Sequence, residues 1–167
     1  MTISAVLFDF DGTLTAPHGI DFDRVRAEIG CPPGESVLEY IEALPDPAHR
    51  SRAGDVLHRV EMEAAARARP NRGTPAALAA LHDMGLPASV LTRNSRAALT
   101  RALDNFDGID ADHFTLVLTR DDDFAYKPAP DALLHAAAAM GARPAEMLCV
   151  GDYVFDIAAA AAAGCPS

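Results

Sequence analysis

Residues 3–15 read ISAVLFDFDGTLT, and in this stretch the apolar run 3–8 leads directly to Asp9 and Asp11. The run predicts a buried β-strand that ends at the first aspartate. Side chains two residues apart on an extended chain point the same way, so we expect both carboxylates to face one spot. Two negative charges about 4 Å apart repel by roughly 4 kcal/mol at an effective dielectric constant near 20. This strand end is therefore expected to hold a cation or a shared proton.

The composition excludes several classes of protein. The chain has 167 residues, half of them hydrophobic, which is enough for one domain with an insertion. Its net charge of −10 argues against nonspecific binding to nucleic acid or to anionic membranes. The sequence has no membrane-spanning apolar run and no signal-peptide pattern. We expect neither nucleic-acid nor membrane partners; the oligomeric state stays open, with a monomer favoured.

The cysteines indicate the cellular compartment. Cys31, Cys149 and Cys165 form no CxxC pair and no disulfide framework. This usage is typical of a reducing cytoplasm, and we expect a cytoplasmic protein.

Three further apolar runs predict buried strands, at residues 88–91, 114–118 and 147–150. Helical patterns accompany them, at residues 76–84, 96–103, 131–140 and 154–163. Strands that alternate with helices indicate right-handed crossovers and a parallel sheet. The sequence therefore predicts an α/β fold of three layers, with helices on both faces of a central parallel sheet.

Residues 16–73 are too many for a single crossover between the first two strands. They contain helical patterns at 37–44 and 56–68, separated by prolines. We predict a small helical cap, inserted after the first strand, over a core formed by residues 1–15 and 74–167. A lid over the strand ends is favoured over simple packing bulk.

The C-terminal end is expected to be shortened. The last helical pattern stops at Gly164, and Cys165-Pro166-Ser167 would ordinarily lead into another strand. An exposed sheet edge predicts lower stability or pairing between edges.

Polar side chains follow every predicted strand. They are, in chain order, Asp9, Asp11, Thr92, Arg93, Asn94, Lys127, Asp152 and Asp156. The carboxyl ends of parallel strands share one edge of a sheet, so these residues are expected to converge. Carboxylate oxygens suit Mg²⁺, while hydroxyl, amide and ammonium donors suit an anion such as phosphate. This combination favours phosphoryl transfer.

Simpler interpretations exist for several of these residues. Thr92 could cap the helix that follows it, and Lys127 could be a solvated surface lysine. Asp152 and Asp156 could cap the last helix and favour its dipole. The run 121–123, which is three aspartates, is interpreted as a solvated loop and not as a second metal site.

Four segments, in this order, resemble the motifs of the haloacid dehalogenase-like hydrolase superfamily. They are FDFDGTLT at 8–15, LTRNS at 91–95, YKPAPD at 126–131 and VGDYVFDIAAAAAAG at 150–164. The resemblance covers nearly the whole chain and implies a Rossmann-like core. The insertion resembles the small helical cap of the phosphoglycolate phosphatase and β-phosphoglucomutase type.

The resemblance implies a role for each catalytic residue. Asp9 would be the nucleophile and an Mg²⁺ ligand. Asp11 would be the general acid/base, with its backbone carbonyl on the metal. Thr92 would bind phosphate, and Lys127 would hold both the nucleophile and the phosphoryl group.

The remaining implied roles concern binding. The backbone of Arg93 and Asn94 would help to bind phosphate. Asp152 would ligate Mg²⁺ directly, and Asp156 would do so directly or through water. In the cap, we predict that His18 and Arg50 contact the substrate, because both lie among the basic residues of the insertion.

The resulting hypothesis is an Mg²⁺-dependent phosphatase that acts on a small phosphorylated metabolite through an aspartyl-phosphate intermediate. A phosphomutase of the β-phosphoglucomutase type is the alternative, and a non-catalytic binding module on the same fold is the third. A dehalogenase is disfavoured because Asp11 supplies an acid/base suited to phosphate esters. A phosphonate hydrolase is disfavoured because residues 16–73 contain no lysine for a Schiff base.

Overall fold

The computed structural model describes residues 2–17 and 19–167, and a four-stranded parallel sheet forms its centre. The strands are β1 (Ala5–Phe8), β2 (Ala88–Leu91), β3 (Leu116–Leu118) and β4 (Met147–Val150), in the spatial order β3-β2-β1-β4. Val6 of β1 lies opposite Ala88 on one side and Leu148 on the other. The predicted parallel sheet is confirmed, and the uninterrupted apolar run of β1 occupies an interior position.

Seven α-helices are found in the described residues. They are α1 (Phe22–Ile29), α2 (Val37–Ala43), α3 (Pro47–Ala65), α4 (Thr74–Asp83), α5 (Arg96–Leu103), α6 (Asp131–Ala139) and α7 (Val154–Ala163). Helix α3 begins well before the predicted residue 56, because Asp46 caps it by accepting from the amides of Ala48 and His49. Helix α1 was not predicted. None of the described helices is both long and apolar enough to cross a membrane.

The sheet separates two hydrophobic clusters, which gives the fold its three layers. Alternation along β1 places Val6 and Phe8 in one cluster and Ala5 and Leu7 in the other. The first cluster includes residues of α4 and α5, and the second includes residues of α6 and α7. Alanines of α6 and α7 are fully buried in the second cluster, so these helices lie close to the sheet.

The cap has a hydrophobic cluster of its own. Side chains of α1, α2 and the middle of α3 form it, including Val25, Ile41 and Leu57. The end of α3 belongs to the core instead, since Ala65 packs in the cluster around Phe10. Helix α3 thus connects the cap to the sheet layer.

The chain enters and leaves the cap at one place. Thr15 pairs with Pro70 in an antiparallel bridge, and the amide of Ala16 donates to the carbonyl of Arg69 over 2.9 Å. The hydroxyl of Thr74 donates to the carbonyl of Leu14 over 2.9 Å. The two connecting segments are therefore held side by side, next to the end of β1.

The chain after α7 turns back towards β4. The amide of Cys149 donates to the carbonyl of Pro166 over 2.8 Å. Cys165 is buried in the same cluster as Cys149, and both thiols are free. One amide on the outer edge of β4 is therefore paired, whereas the expectation had been an uncovered edge.

Candidate active site

A wide turn follows β1 and carries the first two aspartates. The amide of Thr15 closes the turn by donating to the carbonyl of Phe10 over 2.9 Å. Gly12 lies within it at φ +86°, and a Cβ at this position would stand 2.2 Å from Oδ2 of Asp152. Glycine is needed at this position for two reasons: the backbone is left-handed, and a carboxylate approaches closely.

Lys127 lies at the centre of the strand-end cluster. Its Nζ is 2.6 Å from Oδ1 of Asp9, 2.5 Å from Oδ1 of Asp156 and 2.9 Å from the carbonyl of Leu91. The lysine is only 6 % exposed. The surface-lysine interpretation is therefore wrong, and the ammonium is shared by two carboxylates, one directly after β1 and the other in the first turn of α7.

Burial and charge act in opposite directions on this group. Burial raises the pKa of Asp9 to about 6, although Lys127 lowers it and Asp156 adds to the increase. Burial alone would lower the pKa of Lys127, but the Asp9 and Asp156 carboxylates outweigh burial and raise it. Lys127 is therefore held in its charged form.

Asp11 occupies a separate position beside the loop after β2. Its Oδ2 accepts from the side-chain amide of Asn94 over 3.0 Å and from the hydroxyl of Thr92 over 3.4 Å. Burial raises the pKa of Asp11 to about 7, and the charge of Asp9 adds to this increase. A carboxyl group with this pKa can both donate and accept a proton near neutral pH.

The capping interpretation of Thr92 is wrong. The residue that caps α5 is Ser95, whose side chain accepts from the amide of Ala98. The hydroxyl of Thr92 instead accepts from the amide of Asn94 over 3.0 Å, which shapes the loop next to Asp11. Thr92 and Asn94 are both buried, so their positions are fixed by packing.

Three carboxylates could hold a metal ion. One oxygen each of Asp9, Asp152 and Asp156 lies within 4.8 Å of the others. The donor set is all oxygen, as Mg²⁺ prefers, and a Cβ on Gly151 would stand 2.3 Å from Cγ of Asp156. The residues present therefore fit Mg²⁺. The Asp11 carboxylate is not part of this group.

Asp156 both caps α7 and faces the site, so its two interpretations are compatible. Its Oδ2 accepts from the amide of Tyr153 over 3.0 Å at the start of α7, while its Oδ1 pairs with Lys127. Capping the helix thus fixes the carboxylate that faces Lys127.

The cap and the strand ends enclose a cavity of about 710 Å³. The sheet contributes Asp9, Asp11, Thr92, Asn94, Lys127, Asp152 and Asp156 to its wall. The cap contributes the segment 19–23, the segment 34–38 and residues of α3. A cavity of this size is within the usual range for small-molecule sites, roughly 300–1,000 Å³. Residues of the insertion and of the strand ends thus line the same cavity, and the lid interpretation of the insertion stays a prediction.

Two arginine–glutamate pairs join the core to the cap. Arg93 donates to both carboxylate oxygens of Glu39 over 2.6 and 2.7 Å, and its guanidinium lies 4.7 Å from the ring centre of Phe155. Arg120 pairs with the buried Glu61 of α3 and also donates to the carbonyl of Arg93. Only the backbone of Arg93 was predicted to belong to the site. Its side chain and the residues Glu39, Glu61 and Arg120 were not predicted from the sequence.

The two predicted substrate contacts of the cap have different outcomes. His18 lies outside the described residues. Arg50 is exposed, donates through Nε and Nη2 to the carbonyl of Leu44, and does not line the cavity. The structure therefore does not bring Arg50 to the site, and we do not assign it a role in substrate binding.

The aspartate run 121–123 has local roles. Asp121 accepts from the amide of Arg96, and Asp122 accepts from the amide and hydroxyl of Thr119. The metal-binding arrangement found among the described residues does not include this run.

Comparisons with known proteins identify the family of the chain. The sequence profile of the haloacid dehalogenase-like hydrolases matches residues 34–164. An uncharacterised hydrolase of Saccharomyces cerevisiae is 33 % identical over 98 % of the chain and 75 % of its own length. The phosphoglycolate phosphatase of Thiobacillus denitrificans is 35 % identical over 99 % of the chain and 82 % of its own length.

Solved structures share the fold. The crystal structure of a haloacid dehalogenase-like hydrolase from Bacteroides fragilis superposes with a TM-score of 0.78. It covers 98 % of this chain and 85 % of its own, at 24 % identity. At this level of identity the likeness concerns the architecture, and the chemistry rests on the residues at the strand ends.

Proposed function

The chain belongs to the haloacid dehalogenase-like hydrolase family, and from this premise we propose that it is a phosphatase that hydrolyses small phosphorylated metabolites through Asp9. One observation carries the proposal. The ammonium of Lys127 contacts Asp9 and Asp156 while the protonatable Asp11 stands beside Thr92 and Asn94. A nucleophile, a fixed cation and a separate acid are what phosphate-ester hydrolysis requires.

In the first step, a carboxylate oxygen of Asp9 attacks phosphorus and the bond from phosphorus to the leaving oxygen breaks. Asp11 gives its proton to that oxygen, so the alcohol leaves in the neutral form. The raised pKa of Asp11, about 7, supports this assignment because part of the group stays protonated near neutral pH. The product bound to the enzyme is an aspartyl-phosphate at Asp9.

In the second step, the Asp11 carboxylate accepts a proton from water, and the water oxygen attacks the phosphorus of the aspartyl-phosphate. The bond from phosphorus to Asp9 breaks, inorganic phosphate forms and the Asp9 carboxylate is restored. Lys127 keeps Asp9 oriented, and the Thr92 hydroxyl with the neighbouring amides is proposed to bind the phosphoryl oxygens.

We propose that Asp9, Asp152 and Asp156 hold Mg²⁺, with the backbone carbonyl of Asp11 as a further ligand. When bound, Mg²⁺ supplies positive charge that neutralises the phosphoryl oxygens and the nucleophile. The oxygen-only donor set and the two glycines that let the carboxylates approach support this ion.

The test is release of inorganic phosphate from a panel of small phosphate esters, with Mg²⁺ and with EDTA. Release that depends on Mg²⁺ and is lost in Asp9→Asn is expected. Asp123→Asn, which removes an exposed carboxylate away from the cavity, is the control and should keep full activity. Turnover that survives in Asp9→Asn would remove Asp9 as the nucleophile.

The identity of the product separates the alternatives. A phosphomutase would convert a sugar phosphate into its isomer with little free phosphate. A binding module would release no phosphate from any ester and would still bind phosphorylated ligands. Inorganic phosphate and free alcohol in equal amounts support the phosphatase.

A further inference from the structure

The cavity has two halves of different chemistry. The half at the strand ends contains Asp9, Asp11, Thr92 and Lys127, which are proposed to act on the phosphoryl group. The other half is formed by the cap, on the opposite side of the same space. In-line attack by Asp9 would place the leaving group on the side of phosphorus away from Asp9, and the cap residues that line the same cavity are available there.

The cap half includes an apolar surface. Ile20, Phe22, Val37, Leu38 and Leu57 line it. Phe22 is 42 % exposed, and Tyr153, which lines the cavity from the core side, is 59 % exposed. Aromatic surfaces left exposed on both sides of one cavity suit an apolar ligand surface between them.

The charges of the cap half are mostly negative. The carboxylates that line it belong to Asp21, Asp23, Glu35 and Glu61, of which Asp23 is paired with Arg26 and Glu61 with Arg120. Within the described part of the chain, Asp21 and Glu35 form no salt bridge. Among the described lining residues of the cap, the basic side chain is that of Arg26. Arg26 is already engaged, because Nη1 donates to Asp23 over 3.0 Å and Nε donates to the carbonyl of Glu35 over 3.1 Å.

The basic side chains of the core half are engaged too. Arg93 donates to both carboxylate oxygens of Glu39, and Lys127 donates to Asp9 and Asp156. A second negative charge on the substrate would meet the carboxylates of Asp21 and Glu35, and the described cations near it already have partners. The lining therefore discriminates by charge.

From this lining we infer that the leaving group is an uncharged alcohol with an apolar surface, and not a hydroxyacid or a second phosphate ester. The inference rests on the proposed phosphatase function. It separates this chain from the substrate named for its phosphoglycolate phosphatase relative, whose leaving group carries a carboxylate.

The first experiment compares three esters whose leaving alcohols are similar in acidity. Phosphoglycolate and 2-hydroxyethyl phosphate match in size but differ in charge, and benzyl phosphate adds an apolar ring. We expect kcat/KM for 2-hydroxyethyl phosphate to exceed that for phosphoglycolate by at least about tenfold, with benzyl phosphate higher still. Phosphoglycolate equal to or above 2-hydroxyethyl phosphate, or benzyl phosphate below it, would overturn the inference.

The second experiment frees the guanidinium of Arg93 from its carboxylate partner. Glu39→Gln removes the carboxylate partner of Arg93 and should raise kcat/KM for phosphoglycolate relative to benzyl phosphate by about threefold or more. Glu28→Gln, an ion-paired cap carboxylate that does not line the cavity, is the control and should leave the ratio unchanged. An equal ratio in both variants would contradict the charge argument.

The two proposals fail differently. Phosphate release with phosphoglycolate as the preferred ester would overturn the inference and keep the phosphatase function. Absence of Mg²⁺-dependent release from all three esters and from 4-nitrophenyl phosphate would overturn the phosphatase function, and the inference with it.

Discussion

The buried Glu61 of the cap and the partly buried Arg120 of the core form an ion pair, in which Nη2 of Arg120 donates to Oε2 of Glu61 over 2.7 Å. Arg120 also donates to the carbonyl of Arg93, the residue directly after Thr92. Burial raises the pKa of Glu61, and Arg120 offsets part of this increase. The pair therefore connects the position of the cap with the loop that orients Asp11.

Glu61→Gln is expected to lower the free energy of unfolding by about 1–3 kcal/mol, because the partly buried Arg120 would lose its carboxylate partner. Urea unfolding measures the loss. The double variant Glu61→Gln/Arg120→Met should recover part of it, since neither charge then remains buried. Glu146→Gln breaks the exposed pair with Arg143 and should have little effect. Equal losses for Glu61→Gln and Glu146→Gln would contradict the structural role of the buried pair.

Gly12→Ala tests the approach of Asp152 to the turn after β1. The added Cβ would stand 2.2 Å from Oδ2 of Asp152, so the carboxylate must move and the affinity for Mg²⁺ should fall by at least about tenfold. Isothermal titration with Mg²⁺ measures the affinity directly.

Gly85→Ala is the matched control for this change. Gly85 also has a positive φ, of +65°, but a Cβ there would meet nothing within 4 Å. The control should lose about 1–2 kcal/mol of stability from backbone strain and keep its Mg²⁺ affinity. If both variants bind Mg²⁺ equally well, the close contact between Gly12 and Asp152 does not matter for the ion.

The raised pKa values of Asp9 and Asp11 predict how the stability of the metal-free protein depends on pH. Their folded values, about 6 and about 7, lie above the ordinary value of 3.8, so the folded state binds more protons between these limits. Their contribution to stability is present at pH values below 3.8 and is lost as pH rises through 6 to 7.

Urea unfolding in EDTA should therefore show that the contribution of Asp9 and Asp11 to the free energy of unfolding decreases between pH 5 and pH 8. Asp11→Asn should make this decrease smaller, because one of the two carboxyl groups with a raised pKa no longer titrates. Mg²⁺ should stabilise the protein more at pH 8 than at pH 5, since the ion binds the ionised carboxylates. A pH dependence that is identical in Asp11→Asn and in the unchanged chain would exclude this origin.

The core of the site could be predicted from sequence because its geometry is a property of parallel sheets. Asp9, Thr92 and Asp152 each follow a strand within two residues, so their convergence needs only strand order and direction. The cluster of Asp9, Asp152 and Asp156 with Lys127 agrees with that expectation in position. The catalytic roles of these residues stay predictions.

The contacts between cap and core could not be predicted in the same way. Glu61 and Arg120 are 59 positions apart, and no periodic pattern selects Glu61 over the other acidic residues of the cap. Helix α1 was missed because it is short, half of its residues are charged, and its buried side chains are only Val25 and Ile29. Arg50 was predicted to contact the substrate, but its guanidinium does not line the cavity because it donates to the carbonyl of Leu44 in its own segment.

Lys127→Met tests the ammonium at the centre of the site. The methionine is similar in length but donates no hydrogen bond, so Asp9 and Asp156 lose a shared partner at 2.6 and 2.5 Å. We expect kcat to fall by about 10²–10³, the usual loss when one preorganised donor of an active site is removed. The pKa of Asp9 should also rise further, because Lys127 lowers it in the unchanged protein. The acid limb of the pH–rate profile should then move to higher pH, which a purely structural defect would not produce.

Lys127→Arg keeps the charge and is expected to retain more activity than Lys127→Met, although the larger guanidinium must fit a buried position. A Lys127→Met protein that folds normally and keeps both its kcat and its pH profile would show that this ammonium takes no part in the reaction.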